Sequence, residues 1–383
     1  MSATARLLML ATLALACALP AAHSAQATEA GVSAQRVVLG MSVPLTGPLA
    51  PYGSDLAQGL KLGFAQANAG SGVNGRSIEL VVKDDGGRPE QALANTRALL
   101  DAGVLALTGY HGPRSLEAVL PLIEQAGVPL LGAASSAELL REPVRTTVFN
   151  LRAGAREEAE AMVLQLDTLG TTEVAAIVQD DALGRAGLEG LQFQLTRLAL
   201  RTTAVVRLPA DVDAAGSASA VGAACRTAPQ ALMLALDARN TLAVIRAARQ
   251  QGCRPQFYVM SEAGAQLLAG AAAPGELAGV IVSQVVPHPA ATSLPVVADF
   301  QRHAAQAGLK PSHPALEGYL YARAIVEALR RCGRDPTRSG LVAALEARPL
   351  DLGGYLLKFT PADHRGSRFT EMTIVTQDGK FRR

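Results

Sequence analysis

Tryptophan is absent from this chain, and aromatic residues as a class reach only 4% of its 383 residues. Few rings are therefore available to wall a pocket, and aromatic stacking cannot identify a ligand. Charge of one sign is lacking too. With 35 basic against 33 acidic residues and no basic run of five, the chain has no polyelectrolyte footprint for nucleic acid or an anionic membrane surface. Cysteine is sparse, at four, which excludes a disulfide scaffold, and 49% hydrophobic residues exclude a disordered chain. No apolar run free of charges reaches the roughly 20 residues that a membrane-crossing helix needs.

The signatures of catalysis are missing as well. There is no Gly-x-x-x-x-Gly-Lys-Ser/Thr, Gly-x-Ser-x-Gly, His-Glu-x-x-His or Cys-x-x-Cys. The six histidines are isolated, none with a second His or Cys at i+3 or i+4, so no helix-borne metal site is expected. Gly70-Ser71-Gly72 with Gly75 follows a helical stretch and precedes a strand-like one, the reverse of a dinucleotide loop, and reads as a turn. No catalytic residue, metal or cofactor is assigned, and the chain is not expected to be an enzyme.

What is present begins with a leader. Arg6, the apolar run Leu7 to Leu19, Pro20 and the small residues Ala21 to Ala25 follow the order of a secretory signal peptide, with cleavage expected after Ser24 and residues 1–24 removed. Cys17 lacks a Leu three residues before it, which argues against lipidation. Export leaves Cys225, Cys253 and Cys332. Cys225 and Cys253 precede two successive strand-like runs, so either they form a disulfide at one sheet edge, with Cys332 alone, or all three are buried reduced thiols.

Along the remaining chain, short Val/Leu/Ile runs such as Val37 to Val43, Val104 to Thr108, Val174 to Val178 and Phe257 to Met260 alternate with stretches of 3.6 periodicity. That pattern predicts an α/β protein of doubly wound parallel sheets covered on both faces. The units are too numerous for one sheet of ordinary width, so two lobes are expected. After about residue 290 three helical stretches follow, and Leu316, Tyr319, Val326 and Leu329 on the middle one read as core.

Ligands of such sheets bind beyond the carboxyl ends of the strands. The segments there are Tyr110-His111-Gly112-Pro113-Arg114-Ser115, Ala134-Ser135-Ser136, Asp181 to Arg185 and Ser261-Glu262. Their hydroxyls and N–H groups suit a carboxylate, and Asp181 or Glu262 suits an ammonium. Ordinary helix capping by Ser115, Ser136 and Asp181 is the alternative reading.

These residues also carry a resemblance. Pro44-Leu45-Thr46-Gly47-Pro48, Gly72-Val73-Asn74-Gly75, Asp84-Asp85, Ala126-Gly127-Val128-Pro129, Asp180-Asp181-Ala182-Leu183-Gly184-Arg185, Ser283-Gln284-Val285-Val286-Pro287, Glu317-Gly318-Tyr319 and Leu352-Gly353-Gly354 occur in this order. Together they resemble the leucine/isoleucine/valine-type periplasmic solute-binding proteins of ABC transporters. The resemblance implies a type 1 periplasmic binding protein fold whose two lobes are joined by a three-stranded hinge, with crossings near Val148 to Leu151, Ser283 to Pro287 and Gly353 to Leu356. The lobes would comprise residues 25–148 with 286–353, and 149–285 with 354–383.

It further implies a periplasmic monomer that encloses a small ligand by hinge closure and hands it to ABC transporter permease subunits, without spanning the membrane. Tyr110, His111, Gly112, Pro113, Arg114 and Ser115 would grip the ligand's carboxylate with Ala134, Ser135 and Ser136. Asp181, Leu183 and Glu262 would close from the other lobe, Glu262 on the ammonium. Gly112-Pro113-Arg114-Ser115 stands where amino-acid members have a run of serines, and Leu183 where they have an aromatic. An amino acid, an amide and a small organic acid therefore all remain open. A ligand sensor on the same fold, or a hydrolase acting in the cleft, are the alternatives.

Overall fold

In the computed structural model, residues 29–382 apart from Ala199 are described. The expected leader, its cleavage point and Cys17 lie outside the described residues. Strands β1 (Arg36–Val43), β2 (Ser77–Asp84), β3 (Ala106–Thr108), β4 (Leu130–Leu131) and β5 (Val148–Phe149) form an all-parallel sheet in the order 2-1-3-4-5. Helices α1 (Ala50–Asn68), α2 (Pro89–Asp101) and α3 (Pro113–Ala126) connect its strands. Leu39, Met41 and Val43 of β1 are fully buried against one core and Leu107 and Leu130 against another, so both faces are covered, as the unbroken apolar runs require.

The chain then builds a second sheet through α4 (Ala155–Thr168), β6 (Glu173–Gln179), α5 (Ala182–Arg197), β7 (Arg201–Leu208), α6 (Ala214–Cys225), β8 (Ala231–Ala235), α7 (Ala238–Gln250), β9 (Gln256–Val259), α8 (Ala265–Ala271) and β10 (Ile281–Gln284). It returns to the first unit as α9 (Pro295–Gln306), α10 (His313–Cys332), α11 (Arg338–Glu346) and a short hairpin of β11 (Leu350–Asp351) and β12 (Leu356–Leu357). Finally β13 (Glu371–Val375) and β14 (Phe381–Arg382) rejoin the second sheet, whose order is 14-13-10-9-8-6-7. These last two strands are antiparallel to their neighbours, an edge the parallel reading did not foresee.

Cys225 and Cys253 form a disulfide with Cα atoms 6.3 Å apart, which replaces the reading of three reduced thiols. Cys332 is free and half-buried, and burial pushes its thiol up to about 11. Leu316, Tyr319, Val326 and Leu329 are core, as their spacing indicated.

Two glycines bring α1 and α10 into contact. A Cβ on Gly59 would lie 1.9 Å from the Ala315 carbonyl oxygen, and one on Gly318 would lie 2.1 Å from that of Leu56. Only glycine permits this approach. Its result is that Tyr52 and Glu317, one on each helix, meet in a 2.7 Å hydrogen bond.

Three segments pass between the sheets. The first runs from Phe149 to Ala155, the second from Gln284 to Pro295, and the third follows Arg365. The last lies later than Gly353 to Leu356, because Leu357 and Phe359 remain in the core of the first unit and Arg365 bridges Asn150 beside β5. The hydroxyl of Tyr355 lies 3.2 Å from the Leu151 carbonyl and 3.3 Å from that of Val285, so its single proton serves the first two passages alternately.

Gly318→Ala should force α1 and α10 apart and lower stability by about 3 kcal/mol, the upper end for overpacking because the clash is with backbone. Chemical denaturation checks this; an unchanged midpoint would show that the helices separate freely.

Candidate functional site

Between the two units lies a buried polar cluster organised on Arg152, in the first passage, whose side chain is 1% exposed. Its Nη1 is 3.3 Å from Glu317 Oε1 of α10, and its Nη2 is 3.7 Å from Glu158 Oε1 of α4. Nη2 also donates to Ser261 Oγ at 2.5 Å. Ser261 Oγ in turn donates to Glu158 at 2.8 Å, so the serine relays between guanidinium and carboxylate. Glu158 accepts further from Ser261 N at 2.7 Å and from Ser283 Oγ, and Glu317 accepts from Tyr52 and Tyr321.

Burial works against charge on Arg152, but Glu317 and its neighbours outweigh this and hold the guanidinium well above its ordinary value. Burial wins at Glu158, raising its carboxyl above the usual range despite Arg152.

The second feature is a contact across the cleft. Glu262, in the short 3-10 turn after β9, accepts from Ser135 Oγ at 2.9 Å, from Ser136 N at 3.0 Å and from Ser136 Oγ. Three donors of the first unit thus cradle one carboxylate of the second. Arg141, buried behind this loop, donates to the carbonyls of Ala137, Ser135, Arg152 and Ala153, which fixes the loop with the Ser136 N–H toward Glu262. Glu262 has no cationic partner within ion-pair distance among the described residues. A cavity of about 20 Å³ lies beside the cluster, lined by Tyr52, Arg152, Ser261, Gln266, His313 and Glu317 among others. It has room for about one water molecule.

The residues singled out from sequence separate into two groups. Ser135, Ser136 and Glu262 meet between the units, and His111 is buried with its ring 4.4 Å from that of Tyr52. Ala134 is buried beneath them, its N–H bonded to Tyr110 O. Gly112 caps α3 with φ +83°, Pro113 follows it, and Ser115 is buried within the first turn, so Ser115 is not the cap. Ser136 caps no helix either; its side chain is given to Glu262.

The remaining four are Tyr110, Arg114, Asp181 and Leu183. Tyr110 is fully buried in the core with Leu116 and Val119 and bonds Thr96 at 3.0 Å, so it does not wall the cleft. Arg114 is exposed. Asp181 is the N-cap of α5, accepting from Leu183 N at 3.0 Å and Gly184 N at 3.2 Å, while its other oxygen takes Gln179 at 2.7 Å; capping is the reading the geometry favours. Leu183 is buried in the same turn.

Sequence reasoning missed Arg152, Glu158 and Tyr321. A signal existed for two of them. Glu158 interrupts the apolar face of α4 formed by Ala155, Ala159, Met162 and Leu166, and Tyr321 lies one turn beyond Glu317 on a buried face.

The arrangement is two α/β units meeting at a polar cleft, and among the described residues no group of three or more His, Cys, Asp or Glu is placed to hold a metal ion. This is the type 1 periplasmic binding protein fold. The chain belongs to the periplasmic binding protein family, whose profile matches residues 36–380. It is similar to the extracellular ligand-binding receptor of Verminephrobacter eiseniae, at 28% identity and a TM-score of 0.83, covering 91% of this chain and 100% of that one. A possible leucine/isoleucine/valine-binding protein of Rhodopirellula baltica is similar at 27% identity and a TM-score of 0.81, covering 93% and 98%. An amino acid binding protein of Pseudomonas aeruginosa is 27% identical over 169 residues, which span 43% of this chain and 45% of that relative. The alignment therefore covers less than half of that relative's length.

Removing the guanidinium while leaving both carboxylates buried, as in Arg152→Ala, should cost about 3–5 kcal/mol. Calorimetry checks this; a loss under 1 kcal/mol would show that the cluster is not one unit.

His111 supplies a pH test. Burial, then Arg152, lowers its pKa from 6.5 to about 4. The unfolded chain therefore binds the proton first, and stability contributed by neutral His111 is lost as pH falls from about 6.5 to 4. In His111→Gln this part of the acid destabilisation should vanish; identical pH–stability curves would remove His111 as its source.

Proposed function

We propose that the protein is an extracytoplasmic solute-binding protein that captures a small polar ligand between two lobes and delivers it to an ABC transporter permease. The ligand class comprises amino acids, amides and small organic acids. The observation that carries this reading is the cradle of Ser135 and Ser136, which holds a carboxylate supplied by Glu262. A ligand carboxylate in the same donors would release Glu262, which could then receive the ligand's ammonium or amide N–H.

The lobes are the units built on the two sheets, hinged at the three passages, with residues up to about 365 in the first lobe after its return. An inner cavity of about 20 Å³ is too small for an amino acid, so entry requires opening. Such a ligand must bind the closed state better than the open one, since only differential affinity shifts the equilibrium.

The family supports placement in the periplasm, and among the described residues no helix is long and apolar enough to cross a membrane. The names of the similar proteins describe binding rather than turnover, which supports capture without chemistry.

Mass spectrometry of small molecules released on denaturation, followed by thermal shift against amino acids, amides and organic acids, tests the reading. A true ligand at 100 times its dissociation constant should add about 2.7 kcal/mol; no shift across the panel would overturn it. Glu262→Gln should weaken an amine-bearing ligand far more than a neutral one. Equal losses would take the ammonium role from Glu262.

A further inference from the structure

Outside the buried cluster a second cleft of about 950 Å³ opens between the units, and it shares Gln266 and His313 with the inner cavity. The two spaces are therefore neighbours, with His313 in the wall of both. His313 itself is 9% exposed, and its Nε2 has no hydrogen-bond partner among the described residues. Burial, then His288, lowers its pKa to about 3, so the ring is neutral. The two rings meet edge-on at 5.4 Å. His288 Nδ1 accepts the Ala290 N–H at 3.1 Å, which leaves Nε2 to carry the ring proton as a donor.

The charges lining the cleft are Asp55, Lys310, Lys380 and Arg382. Asp55 accepts from Ser312 at 2.6 Å, and Lys380 pairs with Asp378 at 2.6 Å. Glu371, packed behind His288, accepts its backbone N–H at 3.1 Å. Lys310 and Arg382 have no acidic partner among the described residues. One belongs to the first unit, just ahead of α10, and the other to the second, on β14. Closure brings these two like charges to one space, which disfavours the closed state unless an anion lies there. The amino end of the 20-residue helix α10 faces the same space and adds to its positive potential.

We propose that this outer cleft receives the remote carboxylate of the captured solute, held between Lys310 and Arg382. The proposal rests on the solute-binding reading above and narrows it to organic acids longer than a single amino acid, whose other end enters the inner cavity that shares Gln266 and His313 with the cleft. An acid spanning both spaces binds the closed state preferentially, because opening separates the two cations that hold it. A volume of this size is of the order that takes drug-sized ligands, about 300–1,000 Å³, and exceeds what one amino acid fills.

The test is calorimetric titration of the purified chain with leucine, valeramide, glutarate, adipate and suberate, repeated on the exposed-site double variant Lys310→Ala/Arg382→Ala. The expected result is that at least one dicarboxylate binds and that the variant weakens it by tenfold or more. Any binding of leucine or valeramide should be unchanged in the variant. Dicarboxylate binding that the variant does not weaken would overturn the outer site. Binding of leucine or valeramide alone would overturn it too, while leaving the solute-binding reading intact. No binding by any of the five would count against both.

Discussion

A guanidinium sealed from water must be answered by charge, and Arg152 takes that charge from two directions. Glu317 comes from α10 of the first unit, and Glu158 from α4 of the second. The residue sits in the first passage between the sheets, so its ion pairs span the joint between the two units. Buried pairs of this kind contribute little net stability, because desolvation offsets the attraction. Their effect is registry: any displacement that leaves the guanidinium unpaired costs several kcal/mol, so the units are held in one arrangement. The close approach of α1 and α10 at Gly59 and Gly318 serves the same arrangement, since it sets Tyr52 against Glu317 and thereby orients the carboxylate that Arg152 needs.

The cleft contact has a different character. Glu262 is not paired with a cation but with neutral donors, which would accept another carboxylate equally well. Arg152 is held by groups with no substitute, whereas Glu262 is held by groups that a solute could claim. Permanence at the joint and exchangeability at the site are thus assigned to separate carboxylates, Glu158 bonding Ser261 and Glu262, the next residue after that serine, bonding Ser135 and Ser136.

The alternation of apolar runs and helical periods made the two covered sheets legible, because burial on both faces leaves no polar alternation in β1, β6 or β8. The antiparallel pairing of β13 and β14 was hidden, since a strand-like run such as Phe369 to Thr376 reveals neither its neighbour nor its direction. At the site, residues at strand ends could be read, and Ser135, Ser136 and Glu262 were found that way. Tyr110 was misassigned because position after a strand does not reveal which way a side chain turns, and here it turns inward to Thr96. Asp181 shows the same limit: a carboxylate just before a helix satisfies its N–H groups first. Arg152 could not be inferred from periodicity, as it lies in neither helix nor strand, and its partners are distant in sequence.

Under the proposed solute-binding reading, the carboxylate of Glu262 in the cradle also bears on how fast a solute is caught. A closed chain that occupies its own donors must first open, so only the open fraction meets the solute, and the apparent dissociation constant rises in inverse proportion to that fraction. At low solute the rate of capture then scales with the open population rather than with diffusion alone. Each bond from Ser135 or Ser136 to Glu262 becomes a determinant of capture speed as well as of affinity, since the donors that hold the chain closed are those that would hold the solute.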